Sequence, residues 1–320
     1  MRLIRGHYNL PPAQQVSAES SGETTGCVAT IGNFDGVHLG HQLVLGQLTE
    51  QAAQMGLPTL VITFEPYPQE YFQPEQSPPR LTRLREKLRI LARFAIDRVL
   101  VLRFTRSLAQ MSAEDFIDDI LVKGLGIRYL VVGDDFHFGA GRKGDFAMLQ
   151  QAGERHGFQV VHMHTFAIED ERVSSTRIRD ALKEGELGLA EKLLGRVYRM
   201  CGRVAHGDKR GRLIGFPTAN IHLHRNATPV QGVYAVEMFG VEHEPVQGVA
   251  NVGTRPTIDG TRSLLEVHLF DFNADIYGQY VNVDFLHKLR DEEKFDSFEE
   301  LKEQILKDAD NARAFFSNRN

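Results

Sequence analysis

Cysteine is nearly absent: Cys27 and Cys201 are the only two in 320 residues. That scarcity excludes a disulfide framework and a cysteine-based zinc site as the basis of the fold. Long apolar runs are missing as well. No stretch approaches the roughly 18 consecutive apolar residues of a membrane-spanning helix, and the first residues carry no apolar signal core. The expectation is a cytoplasmic protein that does not engage a membrane. Basic charge is not in excess, the net charge being -5. A general nucleic-acid binder needs a clustered basic footprint, so no nucleic-acid partner is expected, whereas a single polyanionic nucleotide needs only a local positive site. There is no internal repeat and no low-complexity tract, the P-loop pattern GxxxxGK[ST] occurs nowhere, and no nucleophilic Ser–His–Asp or Cys–His set is identifiable.

What is present is an ordinary globular composition, 42% hydrophobic and 25% charged, on a chain long enough for two cores. Up to residue 185, apolar strand candidates alternate with helical patterns: Val28–Ile31, Thr59–Phe64, Arg98–Phe104, Tyr129–Val132 and Gln159–His164. That alternation predicts an α/β domain, a parallel sheet covered by helices, over 1–185. After a short helix at Leu187–Gly195 the rhythm changes. Short strands with turns, among them 232–237, 247–252 and 264–272, predict a small antiparallel β-barrel over 186–320. A last helix, about Ser297 to Phe315, carries Phe298, Leu301, Ile305, Ala309 and Ala312 on one stripe, with Ser297 as N-cap. The polar stretch 17–25 reads as a loop. The basic helix 81–94 reads as a solvated amphipathic helix on the stripe Leu84, Leu88, Leu91. The pairs His162/His164 and His222/His224 lack a third ligand at a diagnostic spacing and read as structural.

One run concentrates chemistry. The β-prone segment Cys27–Ile31 ends in Gly32-Asn33-Phe34-Asp35-Gly36-Val37-His38-Leu39-Gly40-His41, and a helical pattern follows with Leu43, Val44, Leu48 and Ala52 as candidate buried positions. A strand that enters a helix through a Gly-rich turn presents free backbone N–H groups and a positive dipole end to one point, which is an anion site. His38 and His41 share one face of the helix entrance. Further along, Val173-Ser174-Ser175-Thr176-Arg177-Ile178-Arg179 opens a helix with more hydroxyls than a cap needs. In the second half, the stretch from Gly207 through Gly211 and Gly215 to Phe216-Pro217-Thr218-Ala219-Asn220 is a basic, glycine-bearing loop. Its glycines permit close approach to phosphates, and Thr218 and Asn220 offer oxygen ligands suited to Mg²⁺. On the strand pattern 264–272, period two puts Glu266 and His268 on one face and Leu265, Val267 and Leu269 on the other.

GNFDGVHLGH resembles the signature of the HxGH nucleotidylyltransferases, relatives of the class I aminoacyl-tRNA synthetase catalytic domain. Its wording is similar to that of the bacterial bifunctional riboflavin kinase/FAD synthetase family. VSSTRIR is similar to that family's second nucleotide signature, GDDFHFG to its GxDFxFG segment, FEPYP to its TFEPxP turn, and GFPTAN to the flavokinase signature. The resemblances run from about residue 28 to 300. They imply a Rossmann-like nucleotidylyltransferase domain followed by a flavokinase barrel. Riboflavin and ATP would give FMN, and FMN and a second ATP would give FAD and pyrophosphate, with Mg²⁺ as cofactor. On the same ground, His38, His41, Arg179 and Glu266 are the catalytic candidates. Gly32, Asn33, Phe34, Asp35, Gly40, Ser174, Ser175, Thr176, Gly207, Gly211, Gly215 and Pro217 are expected to meet nucleotide. Asp135, Phe136, Asn251, Arg255 and Arg290 are expected on the flavin side, and Thr218 and Asn220 at the metal. A monomer or weak homo-oligomer is expected. Two rivals stay open: a monofunctional FMN adenylyltransferase whose barrel only binds flavin, and an RNA-binding protein on a synthetase-like fold.

Overall fold

The computed structural model describes residues 1–9, 26–163, 165–206, 216–225, 227–257 and 260–319, with backbone only at 254–257 and 260–262. The loop expected at 17–25, His164 and the glycines at 207, 211 and 215 lie outside the described residues. By packing, the chain divides into two compact units, Met1–Pro78 with Arg83–Val173, and Pro79–Thr82 with Ser174–Asn320.

The first unit holds a six-stranded sheet built from β1 (Arg2–Arg5), β2 (Cys27–Ile31), β3 (Thr59–Glu65), β4 (Arg98–Arg103), β5 (Ile127–Gly133) and β6 (Gln159–Met163). Its order is β1-β4-β3-β2-β5-β6, and every pairing is parallel. The strands after β1 fall where the apolar runs put them. β1 escapes such a reading because it is a short edge strand between arginines, with only Ile4 buried. Period two distributes the side chains between two cores. Ala29, Ile31, Leu60, Ile62, Leu130 and Val132 pack on one face, and Val28, Val61, Val99, Val101 and Val131 on the other. A sheet covered on both faces must be apolar along its whole strands, and β2 is buried at every residue.

Helix α1 (Leu39–Met55) follows β2 and lays Leu45, Leu48 and Ala52 on the second of these cores. Leu43 was an expected buried position but is 46% exposed. The apolar cluster at the helix start offers two stripes, and the one docked on the sheet is Leu45–Leu48–Ala52. Gly56 ends the helix in the left-handed region at φ 63°, where glycine carries no Cβ penalty.

In the second unit, helices Ser175–Glu184 and Leu187–Leu194 form a hairpin through Gly185. The strands β9 (Arg199–Ala205), β10 (Ala219–His222), β11 (Gly232–Phe239), β12 (Val246–Thr257), β13 (Gly260–Leu269) and β14 (Tyr280–Arg290), counted after the two-residue strands β7 (Ala167–Ile168) and β8 (Glu171–Arg172) of the first unit, close into an antiparallel barrel. Its order is β10-β13-β12-β11-β14-β9. Helix Phe298–Ser317 begins as expected, with Ser297 Oγ accepting from the Glu300 N–H at 3.1 Å. Its docking stripe is displaced toward the C-terminus: Ala309, Ala312 and Phe316 cover Val233, Ala235, Val249 and Phe270, whereas Phe298 is half exposed. The helix buries its apolar residues most fully in its second half, Leu301 and Ile305 being only partly buried.

Candidate active sites

The strand order of the first unit reverses at β2, which has β3 on one side and β5 on the other. In open α/β sheets ligands bind beyond the carboxyl ends of the strands at such a switch point. The two loops singled out by sequence, Gly32–Gly40 after β2 and Gly133–Gly139 after β5, stand there. The first is wound through positive φ at Phe34 (49°), Gly36 (80°) and Val37 (42°). For a β-branched valine that region is strained, a cost of ~1–3 kcal/mol that the surroundings must offset. Gln42 Nε2 donates to the Val37 carbonyl at 3.0 Å and is one such restraint.

His38 caps α1: its Nδ1 accepts from the His41 backbone N–H at 3.4 Å. An accepting Nδ1 leaves the proton of a neutral imidazole on Nε2, which is then a donor. The two rings stack at 3.7 Å, and Phe34 lies against His41 with centroids 4.9 Å apart. A Cβ on Gly40 would stand 3.3 Å from the His38 ring. Spacing thus predicted the pairing of the imidazoles, and the structure brings them into contact.

Beneath this loop lies a polar cluster that the sequence reading missed. Asp35 is buried, and Tyr67 Oη donates to its Oδ1 at 3.3 Å. Lys87 Nζ donates to the Asn33 carbonyl and to Thr63 Oγ1, the latter at 3.3 Å, and sits 4.5 Å from the Tyr67 ring centroid. Thr63 Oγ1 also donates to the Asn33 carbonyl at 3.3 Å. Lys87 is wholly buried and Glu86 nearly so, which corrects the reading of this helix, Leu84–Leu91, as carrying only solvated charges. A signal existed: Lys87 follows Leu84 by three and precedes Leu91 by four, so it stands on the apolar stripe itself.

In the loop after β5, Phe138 is buried against Phe116 and stacks on the partly buried Phe136 at 5.5 Å. Asp134 bonds the backbone N–H and hydroxyl of Thr165 and pairs with His162 at 3.1 Å. Asp135 pairs with Arg172 at 3.2 Å on the exposed side. Among the described residues no group of three or more His, Cys, Asp or Glu could hold a metal.

The second nucleotide signature opens helix Ser175–Glu184. Ser174 is its N-cap, accepting from the Arg177 N–H at 3.2 Å, and Ser175 and Thr176 form the first turn. Arg179 Nε donates to the Pro79 carbonyl at 2.7 Å.

On the barrel, register assembles a second site. Asn220 of β10 is directly opposite Glu266 of β13, which is directly opposite Asn251 of β12. Opposed residues project to the same side of a sheet with Cβ atoms ~4.5–5.5 Å apart, so amide, carboxylate and amide form one row. Along β13, Leu265, Val267 and Leu269 are buried while Glu266 and His268 are not, the alternation expected from period two. His268 Nδ1 bonds the Pro217 carbonyl at 2.9 Å and its ring lies 4.6 Å from Phe216. This fastens the segment leading into Thr218 and Asn220 alongside Glu266. The side-chain oxygens of threonine and asparagine are hard donors of the kind Mg²⁺ takes, and nucleotide phosphates and water would have to complete its octahedron. Arg255 lies on β12 opposite Arg262. Arg290 is bonded to Asp308 through Nε at 2.9 Å and Nη2 at 2.8 Å.

Comparison with known proteins joins these sites to a family. Residues 20–177 match the family model described as FAD synthetase, and residues 194–316 that described as riboflavin kinase. The chain is 51% identical over 316 residues to the bifunctional riboflavin kinase/FMN adenylyltransferase of Escherichia coli (strain K12), covering 99% of this chain and 98% of that protein. The protein of the same name from Haemophilus influenzae is 51% identical over 317 residues, covering 99% and 100%. A crystal structure described as a macrolide-efflux protein from Streptococcus pneumoniae superposes with a TM-score of 0.78 at 31% identity, covering 98% and 99% of the two chains. Among the described residues, no helix of the present chain is long and apolar enough to cross a membrane.

Proposed function

The chain belongs to the bifunctional riboflavin kinase/FMN adenylyltransferase family, and from that premise we propose that it phosphorylates riboflavin with ATP and then adenylylates the FMN formed. In the first reaction the terminal ribityl hydroxyl attacks the γ-phosphorus of ATP, the O–P bond to ADP breaks, and FMN forms. A neutral alcohol is a weak nucleophile, so a proton acceptor is useful. Glu266 is assigned that role, with Asn251 and Arg255 on the flavin side. Thr218 and Asn220 would hold Mg²⁺, which when bound neutralises phosphate charge. Arg290 is assigned to the flavin side as well, its guanidinium held by Asp308.

In the second reaction an oxygen of the FMN phosphate attacks the α-phosphorus of a second ATP, and pyrophosphate departs. This nucleophile is already ionised at neutral pH and needs no base. What remains is alignment and the neutralisation of developing charge. His38 and His41 are assigned as donors, with the Gly32–Gly40 backbone, Ser174, Ser175, Thr176 and Arg179 as phosphate ligands and Asp135 and Phe136 toward the flavin. A cytoplasmic enzyme acting as a monomer or weak homo-oligomer belongs to the same proposal.

The observation that carries the two-reaction reading is that one chain holds both a histidine-bearing loop at a sheet's switch point and a carboxylate row on a barrel. Incubation of the pure protein with riboflavin, ATP and Mg²⁺, followed by chromatography of the flavins, should show FMN first and FAD later. His38→Ala with His41→Ala should stop the series at FMN, since losing one charge-stabilising donor typically costs ~10²–10³ in rate. Glu266→Gln should block FMN formation yet leave FAD synthesis from supplied FMN intact. No flavin product at saturating substrate would sink the reading, and equal loss of both activities in either folded variant would contradict the division of labour.

A further inference from the structure

We propose that Lys87 is a positioning residue for adenylyl transfer, fixing the peptide between Asn33 and Phe34 so that the nucleotide loop is set before ATP arrives. The inference rests on the assignment of that transfer to the first unit. A lysine is almost never fully buried unless it is held by partners, because its ammonium gives up its hydration. Lys87 has no exposed surface, and its Nζ reaches the Asn33 carbonyl oxygen and Thr63 Oγ1. Thr63 itself stands near the end of β3 and donates to the same carbonyl. Two donors on different elements therefore converge on one backbone oxygen of the loop.

The geometry of the peptide unit gives this contact its consequence. The unit is planar and trans, so its C=O and N–H point in opposite directions. With the Asn33 carbonyl drawn to Lys87, the Phe34 N–H of the same plane is turned to the side of the loop away from the ammonium. Phe34 then enters the left-handed region that the loop needs, and its ring comes against His41. Tyr67 carries the restraint one residue further, lying under Nζ and donating to Asp35. Lys87 thus acts through the loop and touches no reacting atom.

The test uses the full chain and compares Lys87→Met, Lys87→Gln and Thr63→Val with the wild type. Met keeps the length and apolar stem but cannot donate, Gln keeps a donor without charge, and Val deletes one acceptor of Nζ with nearly the same shape. FMN adenylylation by Lys87→Met should fall on the order of a hundredfold in kcat/KM for ATP, the cost of a small misplacement of the loop, with a raised KM for ATP. Gln should recover part of the loss, Thr63→Val should lie between Met and wild type, and riboflavin phosphorylation should stay within about twofold in all three. The KM readout separates positioning from mere stability, since a poorly folded variant has fewer active molecules and a lower kcat at an unchanged KM. A Lys87→Met enzyme that adenylylates FMN like the wild type, or one that loses only kcat, would overturn the proposal. The same holds if Gln fares no better than Met. Wild-type protein that makes FMN but never FAD would overturn the adenylylation reading itself, and this assignment with it.

Discussion

Among single residues, His268 carries the clearest pH signature. Burial pushes its imidazole below the ordinary histidine range. The Pro217 carbonyl pulls the other way, while Arg313 lowers it and Asp271 raises it by smaller amounts. A base whose folded pKa is depressed takes up its proton more readily when unfolded. Its contribution is therefore undiminished above the unfolded value of ~6.5 and is lost as pH falls toward the lower folded value. Melting of the barrel unit should accordingly drop on acidification from about pH 7 to about pH 5. His268→Asn, which retains a donor toward Pro217 but does not titrate, should flatten that drop when the two melting curves are compared by calorimetry. An unchanged slope in the variant would remove His268 from the effect. Cys27 makes the opposite case. Its thiol is pushed up to about 12, chiefly by burial, so it behaves as a small core side chain rather than a nucleophile.

At the level of elements, the end of β14 and the C-terminal helix are joined by one ion pair. Asp308 is buried and accepts from Arg290 and, at 2.9 Å, from Gln304. Removing one partner of such a pair leaves a buried charge without its complement and typically costs ~3–5 kcal/mol, whereas replacing both by apolar residues is often nearly neutral. Arg290→Met should therefore lower the denaturation midpoint well below wild type, and Arg290→Met with Asp308→Leu should recover much of it. A double variant as unstable as the single one would show that the pair is not the cause. This pair also marks where sequence reading stops. Arg290 stood out in the sequence only through resemblance, as a flavin-side residue; its partner Asp308 lies on another element, and only barrel register and helix docking bring the two together. The period-two burial of β13 and the continuous apolar run of β2, by contrast, were legible, because each strand's own residues determine them. The phase of α1 was not: its apolar cluster fits two stripes, and the sheet selects Leu45 over Leu43. Lys87 was overlooked for a related reason, since charge argued for solvent while position argued for the core.

Taken as a whole molecule, the two-domain organisation was legible from the change of rhythm, since βα alternation and closely spaced antiparallel strands demand different packings. The span of each compact unit was less so. Helix Ser175–Glu184 packs with Leu187–Leu194 in the second unit, and Pro79–Thr82 belongs there too. Arg179, Tyr198 and Arg225 hold those four residues through the carbonyls of Pro79, Leu81 and Arg80. Contacts of so long a sequence separation leave no local trace. A fragment 174–320 should consequently be more stable than one of 186–320, because the shorter piece loses the buried Ile178, Ala181 and Leu182, each worth ~1 kcal/mol or more. Urea titration of the two fragments measures the difference, and equal midpoints would show that the helix contributes nothing to the second unit.

The ring of the barrel has a further consequence, for the order in which the chain is made. β9 pairs with β10 on one side and with β14 on the other, so the first strand of the ring to leave the ribosome waits for the last. Until residues 280–284 emerge, one side of Arg199–Ala205 presents unpaired N–H and C=O groups, a template for any extended chain nearby. Translation of this stretch is therefore an interval in which the nascent chain carries an open strand edge prone to aggregation, and it ends when the final strand takes its place.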